Sequence, residues 1–261
     1  MISLKLRLIR EHNRMYKCWM RFLWSWYGKN APIVLMVHGF KPTLEECKSA
    51  FEMTATSFEH LMRHLVQNDW KVMSQDELLE MVEQRRWKPK CFYLTFDDIY
   101  DTVYTEAFPI IKEFQIPFTA FVTKELVDKP GYITMGHLKE LSRDPLCRIG
   151  VHGIQHKVFR DLTKKEVEEQ CIGDREWLEQ QLGVKAGTFA FPYGRIVEVS
   201  CQNRKQVRKM GFSVVFSAIE GTIRASWFTS RWFLPRVNVS ETFVEKITSG
   251  KRLRYKDCEG R

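Results

Sequence analysis

Two histidines four residues apart, in the run His152-Gly-Ile-Gln-His156, can reach a single cation from a helix or a tight turn. Two adjacent aspartates, Asp97 and Asp98, are the second chemical feature. Neighbouring carboxylates repel each other unless a cation or a proton intervenes. On a strand they also face opposite sides, so one can bind a metal while the other acts as a base. Two imidazoles and one carboxylate leave coordination positions open for water and substrate, as catalytic metal sites require. The same donors suit non-haem iron, so ligand chemistry alone does not choose the metal. His60 and His64 share the spacing of His152 and His156 but lie in a helical stretch, and they read as surface or packing residues. His12 and His137 stand alone.

What would bring these groups together is the set of elements before them. Short apolar runs occur at 33–37, 92–96, 118–122, 148–151, 188–191, 212–216 and 232–234. Most lack clean alternation, as expected of parallel strands buried on both faces. Between them lie amphipathic stretches with helix-start signals. Ser74 with Glu77, and Thr163 with Glu166, read as capping boxes, and Gly183 reads as the stop of the second helix. Residues 57–67 and 102–114 are also predicted helices. Alternating strands and helices argue for an α/β architecture with a parallel sheet, and about seven runs argue for a distorted (β/α)7 barrel. Four runs end in polar groups: His38 after the first, Asp97-Asp98 after the second, His152 after the fourth, and Pro192-Tyr193-Gly194 after the fifth. The C-terminal ends of parallel barrel strands share one face, where active sites form. One topology therefore gathers His38, Asp97, Asp98, His152, His156 and Tyr193.

The formal charge is +9 over 261 residues, but it is unevenly spread. Residues 1–29 hold seven basic residues and one acid, and residues 246–261 hold six and two, which leaves the body at −1. A nucleic-acid reader needs a basic face on its folded body, so no nucleic-acid partner is expected. The seven cysteines are scattered, odd in number and never in a C-x-x-C pair, which favours free thiols over a disulfide framework. No signal peptide and no run of about 20 apolar residues is evident. The expected organisation is a basic, aromatic-rich segment at 1–30, one catalytic domain at 31–240 and a basic tail at 241–261. A helix over 1–29 suits either packing on the domain or peripheral contact with anionic membrane lipid.

The motifs resemble those of polysaccharide deacetylases with a NodB-type domain (carbohydrate esterase family 4). Leu94-Thr-Phe-Asp-Asp98 is similar to the family's T-F-D-D motif, and His152-Gly-Ile-Gln-His156 to its H-[ST]-x-x-H motif. Phe189-Ala-Phe-Pro-Tyr-Gly194 is similar to the third motif in its poly-N-acetylglucosamine deacetylase form, and Leu234-Pro-Arg-Val-Asn-Val239 to a late segment. The resemblance spans roughly 32–240. It implies a NodB-type barrel that removes acetyl groups from acetylated glycans. It implies one divalent ion, zinc first, with cobalt, nickel, manganese or iron also compatible, held by Asp98, His152 and His156. It makes Asp97 the base and the Tyr193 N–H an oxyanion donor. Four departures stand out. Ile99 replaces the usual Gly, Gly153 replaces Ser or Thr, the third-motif arginine is missing, and no histidine follows residue 156. The Leu35-Met-Val-His38 run resembles the subgroup's L-M-Y-H, which makes His38 the replacement acid, and Arg236 the candidate to orient Asp97. Two other functions compete: a glycan-binding pseudoenzyme with this fold, and a carbon–nitrogen hydrolase acting on a small cyclic amide. The expected location is the cytoplasm, at the inner face of the membrane.

Overall fold

The computed structural model describes residues 30–223 and 230–250. The segment 1–29 and most of the basic tail lie outside the described residues. The first strand, β1 (Ile33–Val37), is buried at all five positions and runs into β2 (Gly39–Lys41). After a loop, β3 (Glu52–Thr54) pairs with β2 and leads into α1 (Ala55–Gln67). The short β4 (Lys71–Val72) precedes α2 (Gln75–Gln84), which opens with the expected Ser74–Glu77 capping box. Next come β5 (Cys91–Phe96), α3 (Phe108–Phe114), β6 (Phe118–Val122), α4 (Met135–Arg143) and β7 (Cys147–Val151). The Thr163–Glu166 box opens α5 (Lys164–Glu168), which passes through a π-helical turn at Glu169–Gly173 into α6 (Asp174–Leu182). Gly183 ends that helix at φ +67°, where a glycine carries no steric cost. The remaining elements are β8 (Thr188–Ala190), α7 (Cys201–Val207), β9 (Val214–Glu220), β10 (Leu234–Asn238) and α8 (Glu241–Thr248).

Strands β5, β6, β7, β8, β9, β10 and β1 pair in parallel in that order, and β1 pairs back to β5. This closes the expected seven-stranded barrel. The two-residue β4 adds to β5. Val34, Tyr93, Phe121, Ala190, Val214, Phe216 and Leu234 form the inner core, joined by Leu78, Met81 and Val82 of α2. Leu35, Leu94, Phe118, Ile149, Val151, Phe189, Val215 and Val237 pack outward against the helices. A Cβ at Gly150 would come within 2.5 Å of the Phe121 ring, so the missing side chain makes room for an inward phenylalanine. Strand parity then carries the inward face upward from Val34 to His38, from Tyr93 to Asp97, and from Leu234 to Arg236.

The structure moves some boundaries. The run 212–216 becomes Val214–Glu220, and the run 232–234 becomes Leu234–Asn238. Trp232 and Phe233 lie outside the strand and are only partly buried, while a fully buried arginine, Arg236, sits inside it. A charged residue at a core position hides a strand from an apolarity reading. The helix expected at 102–114 contains a π-helical turn, Val103–Ala107. Residues 241–248, assigned to the tail, form α8. Phe243 and Val244 are buried there, and Glu241 accepts hydrogen bonds from the Thr54 N–H and the Ser57 hydroxyl at the start of α1 (both 2.6 Å). The domain therefore extends one helix beyond residue 240. The five cysteines among the described residues are free thiols. No described helix is long and apolar enough to cross a membrane.

Candidate functional site

The C-terminal ends of the strands meet on one face of the barrel. Asp97 follows β5 on the inward face and is almost fully buried. Arg236 of β10 donates to both its carboxylate oxygens at 2.6 Å. The guanidinium is itself buried and donates to the Ser217 carbonyl (2.8 Å) and the Thr95 hydroxyl (3.2 Å). Thr95 in turn donates to the Leu35 carbonyl at 2.7 Å. A fork-on-fork pair of this kind fixes a carboxylate in orientation as well as in charge. Burial pushes the Asp97 pKa up, but the Arg236 charge, His152 and the two Arg236 hydrogen bonds outweigh it, and the net value is lowered.

Asp98 leaves the strand at φ +63°, and Ile99 follows at φ +46°. This paired left-handed bend swings the Asp98 carboxylate towards the histidines. Its Oδ1 lies 2.9 Å from Nε2 of His156 and 3.5 Å from Nε2 of His152. His152 is buried, and its Nδ1 donates to the Ala190 carbonyl at 2.8 Å. That bond fixes the tautomer and leaves the Nε2 lone pair facing Asp98. His156 sits at φ +51° and is half-buried, with its ring 5.1 Å from that of His152. Despite these short approaches, the buried Asp98 Oδ1 makes no hydrogen bond of acceptable geometry.

Three donor atoms, one from each residue, lie within 4.8 Å of one another. Ligands on bonds of ~2.1 Å in a tetrahedron stand about 3.4 Å apart. The donor set and the orphaned oxygen therefore fit a divalent cation. Burial lowers the His152 pKa to about 4, which keeps the ring neutral as a ligand must be. Burial would also lower His156, but the contact with Asp98 raises it instead. Asp98 is held well below the usual carboxylate range: burial raises it, and the two imidazoles lower it more.

His38 stands at the end of β1 with its Nδ1 buried and unpartnered. Burial lowers its pKa, while the Asp97 and Asp98 charges pull in the other direction. Its ring meets Phe51 edge-on at 4.8 Å. The Phe51 loop is tied down by Asn238, whose Nδ2 donates to the Ala50 carbonyl at 2.6 Å. Tyr193 packs its ring 4.7 Å from His156 and adopts φ +59°. Its N–H makes no hydrogen bond to a described residue. The next residue must be glycine: Gly194 has φ +56°, and a Cβ there would lie 2.6 Å from the Ala218 nitrogen. All seven residues singled out in the sequence thus converge, with Arg236 beneath Asp97 rather than at the surface.

Sequence reasoning missed Asp174, which is fully buried under the His152–His156 bend. Its carboxylate accepts from the His152 N–H at 3.2 Å, and burial raises its pKa to about 8. A signal existed. Asp174 falls at helical spacing among the buried Val167, Cys171 and Leu178, so a carboxylate stands on an otherwise apolar face. Phe51 was also missed, since a lone aromatic in a loop carries no spacing signal.

A closed parallel α/β barrel thus carries a buried, arginine-clamped aspartate beside an Asp-His-His cluster that could hold a metal ion. The sequence profile of the polysaccharide deacetylase family matches residues 84–215, half of the chain, and the protein belongs to that family. His38 and Arg236 lie outside the matched span. The poly-β-1,6-N-acetyl-D-glucosamine N-deacetylase of Staphylococcus aureus is 21% identical over 219 residues, which cover 76% of this chain and 71% of that protein. The solved structure of IcaB from Ammonifex degensii superposes with a TM-score of 0.72 at 23% identity, covering 84% of this chain and 96% of that one. The Streptococcus pyogenes deacetylase PplD in complex with acetate gives 0.73 at 18%, covering 84% and 97%. These two likenesses establish the NodB-type barrel.

Proposed function

We propose that the protein is a metal-dependent deacetylase acting on N-acetylated sugars of a polysaccharide or a lipid-linked glycan precursor. The observation that carries this reading is the orphaned Asp98 Oδ1 between two imidazole nitrogens, next to a carboxylate locked by Arg236. Asp98, His152 and His156 would hold the ion. A divalent metal, zinc first among the candidates, supplies Lewis acidity that polarises an acetyl carbonyl and makes water a better nucleophile. Asp97, kept ionised and oriented by Arg236, takes the proton from the attacking water. The Tyr193 N–H donates to the oxygen that gains charge as the carbonyl becomes tetrahedral. His38 delivers a proton to the departing amine nitrogen.

Two exposed rings support a sugar as the substrate. Phe51 is 38% exposed and Tyr193 50%, and they touch His38 and His156 respectively. Apolar ring faces at the rim of a polar site suit the C–H face of a pyranose. The name of the Staphylococcus aureus relative favours N-acetylglucosamine polymers. The basic, aromatic segment 1–29 would place the enzyme on anionic lipid at the cytoplasmic face, close to a membrane-bound precursor. The test is acetate release from oligomers of N-acetylglucosamine, with β-1,6 and β-1,4 linkages compared, and from O-acetylated xylan. Release from the amino-sugar oligomers and not from xylan supports the reading. Release from xylan alone overturns it. Vesicles of 30% anionic lipid that bind the full chain and the chain lacking 1–29 equally would remove the membrane part.

A further inference from the structure

The bend that carries both histidines is seated on one turn of a neighbouring helix. His152 donates its N–H to Oδ2 of Asp174 (3.2 Å), and the Oδ1 of that carboxylate is buried beside it without a hydrogen bond. A Cβ on Gly153 would stand 3.4 Å from Oε1 of Gln170. Ile154 packs its Cδ1 against Gly173, where any side chain would meet it at 3.1 Å. Gln155 donates its N–H to Oε1 of Gln170 at 2.9 Å, and the two side-chain amides bond to each other at 3.4 Å. Four successive residues, 152–155, therefore rest on residues 170–174. Gln170 and Asp174 are both nine-tenths buried or more.

This seat is the π-helical turn Glu169–Gly173 and the first residue of α6. Single π turns inside α-helices recur at functional sites, because the inserted residue redirects side chains that a regular helix would send elsewhere. Here Gln170 and Asp174, four residues apart across the turn, both reach the same bend. The bend needs them. Gly153 at φ +86° and His156 at φ +51° fold it sharply; the His152 N–H is shared between the Val122 carbonyl (2.9 Å) and Asp174, and the Gln155 N–H goes to Gln170. Buried donors without acceptors are costly.

We propose that Gln170 and Asp174 are positioning residues, which set the angle at which His152 and His156 converge on the metal. They touch neither metal nor substrate. The inference rests on the metal reading of Asp98, His152 and His156. Losing partners that orient metal ligands typically weakens metal affinity about 10–100-fold. Gln170→Met removes the acceptor for the Gln155 N–H at similar length. Asp174→Leu removes the side-chain acceptor of the His152 N–H, and Asp174→Asn keeps one acceptor oxygen.

The experiment is Co2+ binding to the full-length protein, by competition with a chromophoric chelator, together with the visible spectrum of the cobalt form and the melting temperature of the metal-stripped form. Gln170→Met is expected to weaken Co2+ about 10-fold or more and to alter the cobalt bands. Asp174→Asn should fall between the wild type and Asp174→Leu. If Asp174→Leu does not fold, Gln170→Met and Asp174→Asn decide the question. A lowered melting temperature with unchanged affinity and unchanged bands would show that the seat only supports the fold, and would overturn the proposal. A wild type that binds no Co2+ would overturn the metal reading itself, a result distinct from a binding wild type with unaffected variants.

Discussion

Replacing Arg236 with methionine isolates the electrostatics under Asp97, the proposed base. The substitution keeps an apolar stem between Phe121 and Phe216 and removes four hydrogen bonds, two of them to Asp97. The Asp97 carboxylate is then buried without its counter-charge, and burial, already the largest influence on it, raises its pKa. Breaking a buried ion pair by removing one partner costs about 3–5 kcal/mol. A second route bounds the same figure. The carboxyl escapes the penalty by taking a proton, and protonating a group of ordinary value 3.8 at pH 7 costs about 4 kcal/mol. At pH 5 that cost falls to about 2 kcal/mol. Urea unfolding of Arg236→Met, in chelator at both pH values, should therefore show a loss near 4 kcal/mol at pH 7 that roughly halves at pH 5. Adding Asp97→Asn should recover part of the loss at pH 7, because the orphaned charge is gone. Turnover of Arg236→Met should drop on the order of 10²–10⁴, since a protonated Asp97 is no base. A stability loss below about 1 kcal/mol, or one that does not depend on pH, would refute the reasoning.

Three further outcomes follow from the same geometry. Asp174, with a folded value of about 8 against an ordinary 3.8, binds more protons folded than unfolded between those values, so its contribution is full at low pH and is lost as pH rises. From pH 6.5 to 8 the metal-stripped protein should lose about 2 kcal/mol through this group, and Asp174→Asn should flatten that part of the slope in chemical denaturation. His38 must be protonated to act as the acid, so kcat/KM should fall as pH rises through its lowered value; His38→Gln should cost on the order of 10²–10⁴ in rate and abolish that limb. Phe51→Ala should raise KM for an N-acetylglucosamine oligomer several-fold and leave acetate release from a monosaccharide analogue unchanged, and a fall in kcat on both would place Phe51 in support of His38 instead.

The positions of the strand ends were legible in the sequence because parallel strands buried on both faces read as apolar runs, and a polar residue directly after such a run is conspicuous. That logic located His38, Asp97, Asp98 and His152. It could not see which residues face inward, since uniform apolarity erases the alternation that marks parity. The structure supplies it: Val34, Tyr93 and Leu234 point into the barrel, and so do the chemical groups in phase with them. Arg236 misled the strand reading because its charge interrupts β10, although it is one of the largest fully buried side chains. The π-helical turn before Asp174 was invisible, since no residue pattern announces an inserted residue. The boundary at 240 failed for a related reason. The apolar pair Phe243–Val244 is too short to outweigh the basic residues after it until α1 is present to receive it.

Acetate release from an N-acetylglucosamine oligomer, followed as Zn2+ is titrated into chelator-stripped protein, tests the central claim most directly. The account predicts activity near zero at the start, a linear rise with a break at one equivalent per chain, and no response in Asp98→Asn or His152→Ala. Full acetate release from the stripped protein, or the same titration curve in those variants, would contradict it.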